Sequence, residues 1–209
     1  MSNHTRDQIL ESALTLFNQH GEPSISTNHI AGDIEISPGN LYYHFRNKDH
    51  IIEQLFHRFE TRMNLALSDT EEQLPSVEDI WRQLHIVFEC IWDFRFLHRD
   101  IIDILGRNRK LRIRYARILQ RATHDTIVVL QGMVKANVMQ ATNAEIDATA
   151  TNILVLITFW LNYASVRGER NEATSIRQGV VQVLMLLSAF MRDAEREHLN
   201  QLCTQQVTL

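Results

Sequence analysis

The chain has little of what breaks or staples a fold. Three prolines and seven glycines in 209 residues exclude a collagen-like repeat and a loop-rich β protein, and they favour helices. The two cysteines, Cys90 and Cys203, stand far apart with no Cys-x-x-Cys pair. Neither a disulfide framework nor a zinc site is indicated, which suits a reducing cytoplasm. The polar N-terminus shows no basic region followed by an apolar run, so no signal peptide is expected. The longest apolar run, Ile153 to Leu161, is about half the ~20 residues a membrane span requires, and it reads as a buried helix. HExxH, P-loop, GxGxxG and nucleophile-elbow patterns are missing. We therefore expect no enzyme, no cofactor and no metal. The net charge of −4 offers no global hint of nucleic acid.

What is present is a 44% apolar chain, long enough to bury a core in one large domain or two smaller ones. The expected fold class is all-α. Thr5 is placed to cap a first helix with Gln8, and Ile9, Ala13, Leu16 and Phe17 recur on one face before Gly21 stops it. Ser26 is expected to cap a second helix, with Ile25 and Ile30 as a hydrophobic staple. Ile36, Ser37 and Leu41 repeat that arrangement about eleven residues later. Asn47 caps a fourth helix, whose inward face is Ile51, Leu55, Phe56, Phe59 and Met63. The polar segment from Ser68 to Ser76, carrying Pro75, reads as a linker. Beyond it Ser76 and Asp79 form a capping box for a helix to about Phe96. A short helix at Ile101 to Leu105, a stretch from Arg109 to about Met139 as one helix or two, a helix capped by Asn143 and reaching Gly168, and a final one from Ala173 or Thr174 to about Leu202 follow.

The most informative stretch is Ser-Pro-Gly-Asn-Leu-Tyr-Tyr-His-Phe-Arg-Asn-Lys, residues 37–48. Proline suits the first helical position, where its missing N–H costs nothing, and serine is a preferred cap. Pro38 to about His44 is thus a two-turn helix, roughly 12 Å long, comparable to a major groove. Leu41 and Phe45 face inward, so Asn40, Tyr42, Tyr43 and His44 point partly or wholly outward. Gly39 lets the backbone approach a phosphate at the helix N-terminus, and Lys48 lies ready for a second one. With the helix before it, the unit has helix-turn-helix geometry. Core or partner packing is the competing reading of the aromatic pair.

The segment from Ser26 to Phe56, with its core of Leu41, Tyr42, His44, Phe45 and Lys48, resembles the DNA-binding domain of the TetR/AcrR family of bacterial transcriptional regulators. The resemblance covers residues 5 to about 60. It implies a helix-turn-helix domain over residues 1–60, its last helix continuing to about 67, and a helical effector-binding and dimerisation domain over 68–209. It also implies that Thr27 and Asn28 brace against phosphates, that Pro38, Gly39 and Asn40 face base edges or nearby backbone, that Tyr42 and His44 hold phosphates, and that Lys48 anchors from the next helix. Ser37 and Tyr43 complete the expected contact set. The implied function is a ligand-responsive repressor that binds a palindromic double-stranded operator as a dimer.

Two features depart from the pattern. The family usually has Ala-Gly in the inter-helix turn where this chain has Ile34-Glu35, and a non-glycine residue with positive φ there carries roughly 1–3 kcal/mol of strain. Residues 1–60 also hold four basic side chains (Arg6, Arg46, Lys48, Arg58) against eight acidic ones (Asp7, Glu11, Glu22, Asp33, Glu35, Asp49, Glu53, Glu60), a balance of −4. Such a domain should bind random DNA poorly, since phosphate neutralisation drives non-specific affinity. That keeps open a helical interaction or ligand-binding protein with weak or lost DNA binding. Six of the ten histidines also lie in these residues, and mild acid would raise the local charge.

In the second half, Ile153 to Tyr163 and Val180 to Met191 are apolar around most of their circumference and need covering on all sides. A second copy of the chain would supply the cover, and the resemblance implies a homodimer through these last two long helices. The resemblance also implies an effector pocket for a small, largely apolar molecule. His85, Phe88, Trp92, Tyr115, His124, Trp160 and Tyr163 are the candidates, with ordinary core packing as the alternative. Six arginines and one lysine gather between Arg107 and Arg121 and read as a solvated helix face, with an anionic ligand or phosphate as the minority reading. His50, Glu53, His57 and Glu60 share a face of one helix and read as a surface stripe, with a metal as the alternative.

Overall fold

The computed structural model describes residues 2–67 and 76–207. The expected linker from Ser68 to Pro75 lies outside the described residues. Among the described residues there is no named strand, and the chain is a succession of helices: α1 (Ser2–His20), a 3-10 turn (Glu22–Ser24), α2 (Thr27–Asp33), α3 (Pro38–His44), α4 (Lys48–Ala66), α5 (Val77–Asp93), α6 (Arg95–Arg99), α7 (Ile101–Arg107), α8 (Arg109–Lys135), α9 (Asn143–Val166), α10 (Glu172–Ser188) and α11 (Asp193–Val207).

Side-chain caps set most of the boundaries. Ser26 Oγ accepts from His29 N and Ser37 Oγ from Asn40 N, at 3.3 and 3.2 Å, and Asn47 Oδ1 accepts from His50 N at 2.8 Å. Ser76 and Asp79 form a reciprocal capping box at the start of α5, satisfying N–H groups that would otherwise be orphaned. α1 ends where Gly21 takes φ 82°, a conformation that glycine reaches without strain.

Several boundaries differ from expectation. α1 is already helical at Ser2, so Thr5 lies inside it rather than capping it. α9 is capped by Thr142, whose hydroxyl accepts from Glu145 N at 3.3 Å while the Glu145 carboxylate accepts from Thr142 N at 2.7 Å; Asn143 is the first helical residue. The last expected helix is two. Asn171 caps α10, which stops at Ser188. Gln140 N then donates to Phe190 O at 2.8 Å and Arg192 N to Val138 O at 3.2 Å, tying the α8–α9 and α10–α11 connections together. Arg109 to Lys135 is a single helix, and α5 ends at Asp93, short of Phe96.

One hydrophobic cluster runs through both halves. In the N-terminal half Ile9, Phe17, Ile30, Leu41, Phe45 and Ile51 are fully buried. In the C-terminal half α9 packs between α8 and α10, and α10 against α5. α9 is long and apolar enough to cross a membrane by composition alone, yet its Ile146, Ala150, Ile153, Trp160 and Leu161 are buried inside the bundle. Gly179 on α10 permits the closest approach there. A Cβ at this position would stand 2.6 Å from Phe88 Cε1 and 2.9 Å from Trp160 Nε1.

Candidate nucleic-acid interface and ligand cavity

Leu41 and Phe45, four residues apart on or just after α3, are both completely buried, which fixes the rotation of this short helix. The opposite side is open. Tyr42 and Tyr43 are 50% and 80% exposed, Asn28, Ser37, Pro38, Gly39 and Asn40 are exposed, and Thr27 and His44 are half-buried. The expected contact residues on α2 and α3 therefore share one surface. Thr27 Oγ1 and Tyr42 OH lie 3.0 Å apart, linking the two helices. A Cβ on Gly39 would meet nothing nearer than Ser37 Oγ at 3.8 Å, so internal packing gives no reason for a glycine there.

Lys48 is placed differently from expectation. Its Nζ lies 2.8 Å from Glu22 Oε1 and donates to Glu22 O and Ile25 O at 3.1 and 2.9 Å. Two hydrogen bonds and one ion pair thus hold the ammonium within the chain. The turn between α2 and α3 does contain a left-handed residue, Glu35 at φ 55°, where glycine would be unstrained.

The acidic balance of the N-terminal half finds its counterpart in the arginine-rich segment. Glu22 is fully buried, and Arg107 meets its Oε2 at 2.8 Å while also approaching Asp103 at 3.0 Å and Asp49 at 3.5 Å. Asn108 Nδ2 donates to Glu53 at 3.2 Å, Lys110 stands 4.0 Å from Glu53, and Arg114 grips Glu60 with Nε at 3.1 Å from both carboxylate oxygens. Hydrogen bonding from Arg114 holds the Glu60 carboxyl below its usual range. The face expected to be a solvated arginine surface is thus partly an ionic seam against α4, and the His50–Glu60 stripe is the other side of it. Four of the eight N-terminal acidic groups, Glu22, Asp49, Glu53 and Glu60, have partners among Arg107, Lys110 and Arg114. A second junction lies at Asn18, whose Oδ1 accepts from Phe96 N at 3.1 Å and whose Nδ2 donates to Asp93 O at 2.7 Å; Arg99 donates to Asn18 O at 2.9 Å.

A cavity of about 1070 Å³ opens between α4, α5, α6, α8, α9 and α10. Of the seven expected pocket residues, Tyr115 and His124 line it. The others lie elsewhere for physical reasons. Phe88 and Trp160 fill the space around Gly179, and Trp160 Nε1 donates to Ser175 O at 2.8 Å. Trp92 is covered by Arg95, 5.0 Å above its ring. His85 is bound to Trp81 O at 3.1 Å, and Tyr163 is 54% exposed on the outer face of α9. Sequence reasoning missed His98, a buried residue of α6 that borders the cavity. Its setting among Phe96, Leu97 and Ile101 was the available signal. Glu22 was counted as one acid among eight, because its partner Arg107 is remote in sequence.

Two family models match the chain: one described as bacterial regulatory proteins of the tetR family over residues 9–55, and one described as a bacterial transcriptional repressor of the TetR type over residues 58–199. A TetR-family transcriptional regulator from Marinobacter aquaeolei VT8 is 33% identical, with TM-score 0.88 over 97% of this chain and 98% of that one. A probable HTH-type transcriptional regulator, YttP of Bacillus subtilis, is 28% identical over 107 residues, 51% of each chain. The biofilm operon icaADBC HTH-type negative transcriptional regulator IcaR of Staphylococcus aureus is 30% identical over 89 residues, 42% of this chain and 46% of that one. The chain spans about half the length of these two curated relatives. With both halves matched by family models and nearly the whole chain superposing on a solved relative, this protein belongs to the TetR family of transcriptional regulators.

Proposed function

We propose that the chain is a cytoplasmic, ligand-responsive repressor that binds a palindromic operator as a homodimer, with no catalytic step of its own. One observation carries the reading: the capped, two-turn α3 turns Leu41 inward and leaves Asn40, Tyr42 and Tyr43 outward. Its contacts are mostly uncharged groups and amides, which hold phosphates and bases without formal charge. Thr27, Asn28, Ser37, Pro38, Gly39, Asn40, Tyr42, Tyr43 and His44 make up the proposed DNA surface. Lys48 serves it indirectly, by fixing the start of α4 to the carbonyl of Ile25 next to α2.

The pairing surface is proposed on α9 and α10. Val155, Phe159, Tyr163 and Val166 recur at helical spacing along α9 and are exposed, an apolar stripe that a second copy would cover. The effector is proposed to be a small, largely apolar molecule in the cavity bordered by Tyr115 and His124. Weak or lost DNA binding was suggested by the acidic N-terminal half, and the seam with α7 and α8 removes much of that argument.

Selection of duplexes from a random library by the purified protein tests the reading. It should recover a palindrome, bound in the nanomolar range and about tenfold or more weaker in Tyr42→Ala or Asn40→Ala. Recovery of no common sequence, or equal affinity in the variants, would reject it.

A further inference from the structure

His98 sits in α6 with 1% exposure, its ring edge-on to Phe59 at 5.6 Å and to Tyr115 at 6.2 Å between centroids. Its Nδ1 lies 3.3 Å from the carbonyl oxygen of Thr158. A carbonyl can only accept, so Nδ1 carries the hydrogen, and in a neutral imidazole the other nitrogen is then a lone pair. Burial lowers the His98 pKa to about 4, so the ring is neutral at physiological pH. That second nitrogen, Nε2, is buried and has no hydrogen-bond partner in the protein. Buried acceptors are rarely left unpaired, and this one belongs to a residue bordering the large cavity.

We propose that His98 Nε2 is the polar anchor of the cavity and accepts a hydrogen bond from the hydroxyl group of an otherwise apolar occupant, an alcohol or a phenol. The proposal rests on reading the cavity as the effector site. An ether or ketone would bring only lone pairs to a lone pair. A carboxylate would find no cation on the inner wall, where Phe59, Met63, Ile91, Ile118 and Ile153 lie; Arg82 and Lys135, which also border the cavity, are exposed.

The test uses a matched pair of probes, 4-phenylphenol and 4-methoxybiphenyl, titrated into the full-length protein by calorimetry. A single neutral hydrogen bond corresponds to about a fivefold to tenfold difference in affinity, so the phenol should bind the wild type tighter by that factor, and His98→Phe should bring the two together. Should that variant fail to fold, nitrogen NMR of histidine-labelled wild type answers the question. The His98 ring is recognised as one that stays neutral down to about pH 5, and its Nε2 resonance should move on adding the phenol and stay put with the ether. Equal binding of both probes with Nε2 unmoved overturns the anchor and leaves the cavity reading standing. If neither probe binds up to its solubility limit, the cavity reading falls and the anchor falls with it.

Discussion

Arg107 Nη2 lies 2.8 Å from Oε2 of Glu22, a fully buried carboxylate whose other oxygen is 2.8 Å from Lys48. One side chain from the turn after α1 thus joins the start of α4 to the end of α7. A buried carboxylate deprived of a cation is far less stable than one that is paired, whereas a neutral isostere needs no partner. Arg107→Met should therefore destabilise the protein by about 1–2 kcal/mol, less than for an isolated buried pair because Arg107 is itself partly exposed and Lys48 still faces the carboxylate. Adding Glu22→Gln should restore part of that loss. Urea unfolding of the four proteins of the double-mutant cycle measures it, and additive effects would show that the pair is not coupled.

Gly39 offers a separation of folding from binding. Its missing Cβ would meet only ordinary contact inside the chain, and alanine is the better helix former by roughly 1 kcal/mol at an interior position. Gly39→Ala should leave the melting temperature equal or slightly higher while weakening operator retention by about tenfold, as expected where backbone approaches a phosphate closely. Unchanged retention would remove Gly39 from the interface.

His98 should make stability depend on pH. Its pKa is lowered, chiefly by burial, from 6.5 to about 4, so between these values the unfolded chain binds more protons than the folded one. Stability then rises with pH across that window, is fully present above about pH 6.5, and is lost as pH falls toward 4. The loss is on the order of 3 kcal/mol. Denaturation series at several pH values should show a shallower acid decline for His98→Phe than for wild type. Parallel curves would mean that the fold does not lower the His98 pKa.

Glu35 holds φ 55° in the turn between α2 and α3. Asparagine tolerates this region better than glutamate does, so Glu35→Asn should raise stability by about 0.5–1 kcal/mol, read from the shift in unfolding midpoint. The substitution also removes an exposed negative charge beside the proposed DNA surface, and the salt dependence of binding separates the two effects.

The helix-turn-helix half was legible because its signals are local. Ser26, Ser37 and Asn47 each cap through atoms three residues away, and Leu41 and Phe45 are paired by helical spacing alone. The C-terminal half was harder to read. The end of α10 depends on hydrogen bonds from Gln140 and Arg192 to a distant connection, and no pattern around Ser188 announces the break. The expected pocket residues were only partly separable for a similar reason: aromatic residues on apolar faces mark both cavity walls, as at Tyr115, and filled core, and the approach of α10 at Gly179 decides that Phe88 and Trp160 are core. Charge counting over residues 1–60 leaves out the partners of Glu22, Asp49, Glu53 and Glu60, which are remote in sequence on α7 and α8.

Asn18 has a mechanical meaning. Its amide is bonded on both sides to the backbone between α5 and α6, and Arg99 of α6 clasps its carbonyl, so the last turn of α1 and the first turn of α6 form a joint with little play. α6 also carries His98 at the cavity edge. A single amide in the last turn of α1 is thereby tied through three hydrogen bonds to the element that borders the cavity.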